Sequence, residues 1–239
     1  MGIPQQRARS RNGAGLPAVT VEQIVAEAVA LTADTGLDNW TLRQLAARIE
    51  ASPAVIYHHV GDREAVVSLV LDHVVRELTV PPETLPWREW FGLLLDDHRE
   101  VLRRYPGVAY RLAMHGPPAS CGGPIIDMGV RLLQEAGFGD DSVLAYNVVM
   151  TTACQYIALE DDQRRIAAVR SVHAQQYQAF RDRTDLPGLA AVGDFVATIA
   201  GRPDRVACFF TDLFQYAVQR CLDGMEQRLG HLREWDDTQ

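Results

Sequence analysis

Three observations on the 239-residue sequence predict an all-α protein. Apolar residues recur at helical spacing from Val21 to Met225. Residues that open and close helices bracket each such stretch, and no alternating apolar–polar run suggests a strand. With 47% hydrophobic and 23% charged residues, the composition is that of an ordinary globular protein. The length suits a small N-terminal unit with a larger one behind it.

Residues 1–19 are rich in Gly, Arg and Pro with little to bury, and are expected to form a disordered basic arm. Thr20 and Gln23 form a capping-box pattern ahead of Val21, Ile24, Val25, Ala28 and Leu31, a helix that stops at Gly36. A second capping box, Thr41 with Gln44, opens a helix carrying Leu42, Leu45, Ala46 and Ile49. Glu50-Ala51-Ser52 make a tight turn. Ser52 is the N-cap of a short helix, Pro53–His59, with Pro53 at the first position, where its missing N–H is no loss. Gly61 breaks that helix and Asp62 caps a fourth, expected to reach Thr79 with Val66, Leu69, Val70, Val74 and Leu78 inward, before Pro81-Pro82.

More helices follow: one from Pro86 to Tyr105-Pro106, a short one at 107–115, and Pro124–Ala136 closing at Gly137. Asp141–Leu159, a polar helix near 161–182, Pro187–Ala200 and a long last helix from Pro203 to about Leu229 complete the chain. Glu160-Asp161-Asp162 is expected to cap the helix that follows it.

Net charge is −8, so a uniformly basic surface is excluded. Its distribution is uneven. Residues 1–63 hold six Arg and six acids and are neutral, which leaves 17 Arg and 25 acids in residues 64–239. All cations are Arg. Cys121, Cys154, Cys208 and Cys221 form no C-x-x-C pair and read as thiols of a reducing compartment. The N-terminus lacks the apolar core of a secretory signal. Val143–Leu159, the most apolar stretch, is interrupted by Asn147, Thr151, Thr152 and Gln155. It is expected to be too short and too polar for a membrane span. A cytoplasmic protein follows.

Two helices joined by a three-residue turn, the second of them short, have the geometry of a helix-turn-helix. The run TLRQLAARIEASPAVIYHHVGDREAVVSLV, Thr41 to Val70, resembles the signature of the TetR family of bacterial transcriptional regulators. The shared features are a capping Thr, L-R-x-L-A, a Ser-Pro opening the recognition helix, a Tyr-x-His pair and Asp-Arg-Glu at the start of the fourth helix. The resemblance covers residues 20–75; the remainder is similar in length and helicity only.

It implies a DNA-binding domain over 20–66 and a ligand-binding, dimerising domain over 67–239. In its terms Thr41 and Tyr57 contact phosphate, Arg43 a phosphate or a guanine edge, His59 lies beside Tyr57, and Arg63 contacts phosphate. Phosphate contacts set register and base contacts set sequence. Ser52 opens the reading helix, whose Ala54, Val55 and Ile56 offer only thymine-methyl contact, with His58 as the polar candidate. Arg43, the arm residues Arg7, Arg9 and Arg11, and DNA deformability would supply the remaining selectivity. Adjacent His58 and His59 face different directions on a helix and do not suit a metal.

For the larger domain the expected partners are operator DNA, a small-molecule effector and a second copy of the chain. Candidate ligand contacts are His98, Asn147, Thr151 and Gln155 as polar groups, with Trp90, Phe91, Tyr110, Met114 and Met128 as walls. Phe210, Leu213, Phe214 and Ala217 form a stripe expected to face the second copy. No catalytic motif is present: there is no G-x-S-x-G, H-E-x-x-H, P-loop or G-x-G-x-x-G. No enzyme activity, cofactor or metal is expected. A repressor released by its ligand is the reading; a ligand-independent DNA-binding dimer or an activator is the alternative.

Overall fold

The computed structural model describes residues 18–165 and 167–236. The expectation for Arg7, Arg9 and Arg11 therefore lies outside the described residues. Within them the secondary structure is helical, without strands. The N-terminal helices are α1 (Val21–Thr35), α2 (Leu42–Arg48), α3 (Pro53–His59) and α4 (Arg63–Arg76). The larger body follows as α5 (Trp87–Leu102), α6 (Val108–His115), α7 (Ala119–Ala136), α8 (Ser142–Arg165), α9 (Ala167–Gln178), α10 (Pro187–Ile199) and α11 (Pro203–Asp236).

The head is held by its caps and by one small core. At Thr41 the box closes both ways: the hydroxyl accepts from the Gln44 N–H, and the Gln44 side chain accepts from the Thr41 N–H at 2.8 Å. Ile24, Ala28, Leu45, Ala46, Ile56, Val66 and Val70 are fully buried and tie α1 to α4 across the reading pair. Trp40 lies beneath them, its indole N–H donating to the Thr32 hydroxyl at 3.0 Å. Between α2 and α3 the chain turns through Glu50, which has φ of 50°, a left-handed conformation that usually falls to glycine.

The head meets the body along main chain. The Leu37 N–H donates to the Pro106 carbonyl at 2.8 Å. Gly107, at φ of 91°, lies where a Cβ would sit 3.3 Å from that of Leu37.

In the body α8 is central, with α5, α6, α7 and α11 packed on it. Three expectations change here. First, α8 does not break at Glu160 but continues to Arg165. Glu160 binds Arg99 at 2.9 Å and Arg103 at 3.0 Å, and the Asp161 carboxylate accepts from the Gly107 N–H at 3.0 Å. These acids tie α5 and the α5–α6 turn to α8 and do not cap a new helix. Second, α7 begins at Ala119, so Pro124 lies inside it. Gly123, with no Cβ to crowd the proline ring, lets the helix pass through. Third, Gly139–Asp162 is long and apolar enough to cross a membrane by length and composition, which overturns the expectation that it is not. Its inner face, Val149, Ala153, Cys154 and Ile157, is buried among the neighbouring helices.

The stripe on α11 is also reassigned in part. Phe210 and Phe214 are buried inside the protomer, with the Arg99 guanidinium 5.5 Å above the Phe214 ring. The long apolar face of α11 is satisfied by α8 and α5 of its own chain, so those two rings are not free for a partner. Leu213, about 100° around the helix from Phe214, and Ala217, about 60° to the other side, remain half-buried at its flank.

Candidate nucleic-acid interface and ligand cavity

Helix α3 shows which of its side chains a duplex could meet. Ile56 is wholly buried and unavailable for thymine methyls, while Ala54, Tyr57, His58 and His59 are exposed and Val55 is half-buried. The imidazoles of His58 and His59 meet edge to face with centroids 5.5 Å apart. Among the described residues no group of three His, Cys, Asp or Glu could hold a metal. Tyr57 and Ser52 have no side-chain hydrogen bond; Ser52 occupies the N-cap position without capping. Both hydroxyls are therefore open to an outside acceptor or donor.

The three arginines of the described head differ in commitment. Arg48 is bound to Asp34 at 2.5 Å, with Glu27 at 3.9 Å. Arg63 does not stand free for a phosphate. Its guanidinium donates to the Leu37 carbonyl at 2.6 Å and the Trp40 carbonyl at 3.3 Å, and lies 4.8 Å over the Trp40 ring. It is a clamp on the α1–α2 loop, spending two of its five N–H donors on carbonyls that the loop turns toward it. Arg43 is exposed, with no ion pair or hydrogen bond among the described residues. The exposed N-terminal ends of α2 and α3 thus carry Thr41, Ser52 and one uncommitted cation, Arg43, with Tyr57 exposed further along α3.

In the body, α4 to α8 line a half-open cavity of about 840 Å³. Val75 of α4, Leu112 and Ala113 of α6, Ile125 and Val130 of α7, and Met150 of α8 make much of the apolar wall. Of the sequence candidates, His98, Asn147 and Thr151 line it. The others do not. Trp90 and Phe91 are fully buried in solid core, the Trp90 indole N–H donating to the Pro81 carbonyl at 3.0 Å. Met128 is half-buried with its sulfur 3.0 Å from an Arg131 nitrogen. Tyr110, Met114 and Gln155 face a separate open groove of about 970 Å³ between the end of α1, α6 and α8. They sit on the outer sides of α6 and α8, a helical rotation away from the cavity.

Sequence reasoning missed Tyr146, a buried cavity residue whose ring closes on the bare face of Gly129, where a Cβ would stand 2.7 Å from it. Its signal was a phenol on an otherwise apolar face, next to Asn147. His98 is 4% exposed, and burial pushes its pKa down to about 4, so the ring is neutral. Burial likewise drives the Cys154 thiol up to about 12, an unreactive group.

Two structural ties join the cavity to the head. Helix α4 carries Val75 at the cavity and Arg63 at the loop clamp. Helix α6 carries Leu112 at the cavity, and Arg111 paired with Glu64 of α4. A helix-turn-helix head rigidly seated on a cavity-bearing helical body defines a DNA-binding regulator.

The comparisons agree. Residues 24–70 match the model for bacterial regulatory proteins of the tetR family. A transcriptional regulator of helix-turn-helix type from Saccharopolyspora erythraea is 29% identical over 204 residues, 81% of this chain and 80% of that protein. Apo ActR from Streptomyces coelicolor shares the fold with a TM-score of 0.72 at 22% identity, over 90% of this chain and 99% of that one. ActR has also been solved with actinorhodin (TM-score 0.71, 23% identity, 90% and 100% covered). BioQ of Mycobacterium smegmatis is similar at a TM-score of 0.63 and 20% identity, covering 88% and 99%. A BioQ structure with its double-stranded DNA operator gives 0.54 at 21% identity, covering 75% and 99%. Residues 24–70 thus carry the helix-turn-helix signature of tetR-family regulators, and the fold of the whole chain is similar to that of solved members.

Proposed function

We propose that this protein is a cytoplasmic repressor that binds operator DNA as a homodimer and leaves it when a small molecule fills the α4–α8 cavity. The observation that carries the proposal is that α4 and α6 each touch both the cavity and the head. A ligand that fits better with either helix displaced shifts the population toward a head position mismatched to DNA. That ActR was crystallised with actinorhodin and BioQ with operator DNA supports both partners for a chain of this fold.

Thr41, Arg43, Ser52, Ala54, Val55, Tyr57, His58 and His59 form the reading surface. Arg43 is its free cation, and Arg63 sets the loop behind it. The dimer face we assign to the outer side of α8 with the adjoining flank of α11. Leu144, Val148 and Leu159 repeat along one exposed side of α8, and Leu144 is 65% exposed. Leu213, Ala217 and the exposed Tyr216 continue that surface on α11. An isologous face of this kind pairs two heads across a two-fold axis, as two half-sites require.

The test is to select operator fragments from the protein's own genome and titrate them by fluorescence anisotropy. Arg43→Ala should weaken the selected site more than random DNA, and Tyr57→Phe should weaken both alike by about 1 kcal/mol. Failure of the wild-type protein to prefer any genomic fragment would end this reading. Met150→Trp, which fills the cavity, should keep operator binding and abolish release by any ligand found.

A further inference from the structure

Two polar atoms on buried residues of the cavity lining have no protein partner. The His98 Nδ1 lies 3.0 Å from the Leu94 carbonyl, an atom that only accepts. Nδ1 therefore carries the ring hydrogen, and Nε2 is a bare acceptor. No hydrogen bond to Nε2 is made by any described residue, and the side chain is 4% exposed. Tyr146, 7% exposed, has no hydrogen bond to its hydroxyl either. Among the described residues, Arg99 Nε is the sole buried, unpartnered side-chain nitrogen or oxygen that is also sealed from open space. The two unpartnered atoms thus open on the space that both residues line, the cavity.

The mouth has a sign. Arg131 on α7 is held by Glu83 at 2.7 Å and Glu135 at 3.1 Å, and Asp127 beside it is exposed without an ion pair. Asp127 and Arg131 are the charged residues of the lining, and with Glu83 and Glu135 already on Arg131 this side of the cavity is net anionic. The only histidine in the lining is neutral, and no uncommitted cation lies inside.

Given the ligand-responsive reading above, on which this rests, we infer that the effector is an uncharged, mainly apolar molecule whose hydroxyl donates to His98 Nε2. Tyr146 meets a second polar atom of it. His98 is then the specificity-determining residue. A ligand carbonyl or ether at that point would set two acceptors against each other, and a carboxylate would meet both the bare acceptor and the anionic mouth. A buried acceptor left unpaired discriminates strongly against a ligand that lacks the donor.

The experiment uses three fluorescent probes of one ring system, 1-hydroxypyrene, 1-methoxypyrene and pyrene-1-carboxylate, titrated into the full-length protein near pH 7. Hydroxypyrene should bind about tenfold or more tightly than its methyl ether. The carboxylate should bind weakest. His98→Phe should bring the hydroxyl and methoxyl probes within about twofold of each other. His98→Gln, which can still offer a carbonyl oxygen, should restore part of the preference. Equal binding of hydroxyl and methoxyl probes by the wild type, persistence of the preference in His98→Phe, tightest binding of the carboxylate, or binding of none of the three would each overturn the inference. Operator binding measured on the same preparations reports separately on the regulatory reading.

Discussion

The reading head and the cavity both leave polar groups unpaired, but in opposite surroundings. On the head, Arg43, Ser52 and Tyr57 are uncommitted at the surface, where water already satisfies them. A phosphate replaces that water for a modest net gain each, and many contacts must add up. In the cavity, the side chains of His98 and Tyr146 are almost wholly buried, and a ligand that displaces the water there without matching their polar atoms leaves them bare. The head gains affinity by summation; the cavity gains selectivity from a few atoms. The scaffold under each is tied by arginines, Arg63 in the head and the Arg99–Glu160–Arg103 group in the body.

The sharpest break in this comparison is in the body. Phe214→Ala removes a fully buried ring and the face beneath Arg99, and should destabilise the protein by about 3–5 kcal/mol in urea unfolding. Leu213→Glu, one residue away on the flank, should leave the helical content intact and reduce dimer mass by light scattering. A Leu213→Glu protein that stays dimeric would move the interface elsewhere.

Acid should act next most strongly, through His98. In the unfolded chain this imidazole takes up its proton near the ordinary value of 6.5, whereas in the fold it resists until about 4. The unfolded state therefore binds more protons between those values, and stability falls as pH drops from 6.5 toward 4, then levels. The loss is roughly 3 kcal/mol. His98→Gln should flatten that part of the profile, and an unchanged slope in the variant would acquit His98.

In the head, Arg63→Ala frees the Leu37 and Trp40 carbonyls to water and removes the stacking on Trp40. A loss of about 2 kcal/mol is expected. Operator affinity should fall with the same loss of order, even though Arg63 does not face the DNA. Arg63→Lys, a point charge without the fork, should recover little. Full operator affinity in Arg63→Ala would show that the loop needs no clamp.

The smallest effect belongs to Glu50. Glu50→Gly relieves a left-handed φ but loosens the unfolded chain, so stability should rise by less than about 1 kcal/mol. A large decrease would mean that the Glu50 side chain supports the turn.

The head was legible because its signals are local. A capping Thr with Gln three residues on, Ser-Pro, and Asp before Arg63 each specify structure within one turn. The role of Arg63 was not, since its partners lie 23 and 26 residues earlier and only folding brings them together. The cavity depends on such distances throughout. Periodicity marks Trp90, Phe91 and His98 as one inward face of α5, but cannot say that the first two end in solid packing and the third at a void. On α11 the same periodicity marks Phe210 and Phe214 as buried without saying whether by this chain or another.

The seam between head and body has a consequence for how such proteins diversify. Its central bond joins two peptide groups, Leu37 N–H to the Pro106 carbonyl, with Gly107 held bare against Leu37 and Gly36 against Pro106. A joint made of main chain is indifferent to most side chains around it. The exposed residues of 42–60 can therefore be exchanged around the buried Leu45, Ala46, Ile49 and Ile56, and a graft that also keeps Gly36, Leu37, Trp40, Arg63, Pro106 and Gly107 would give the same sensor a new address on DNA.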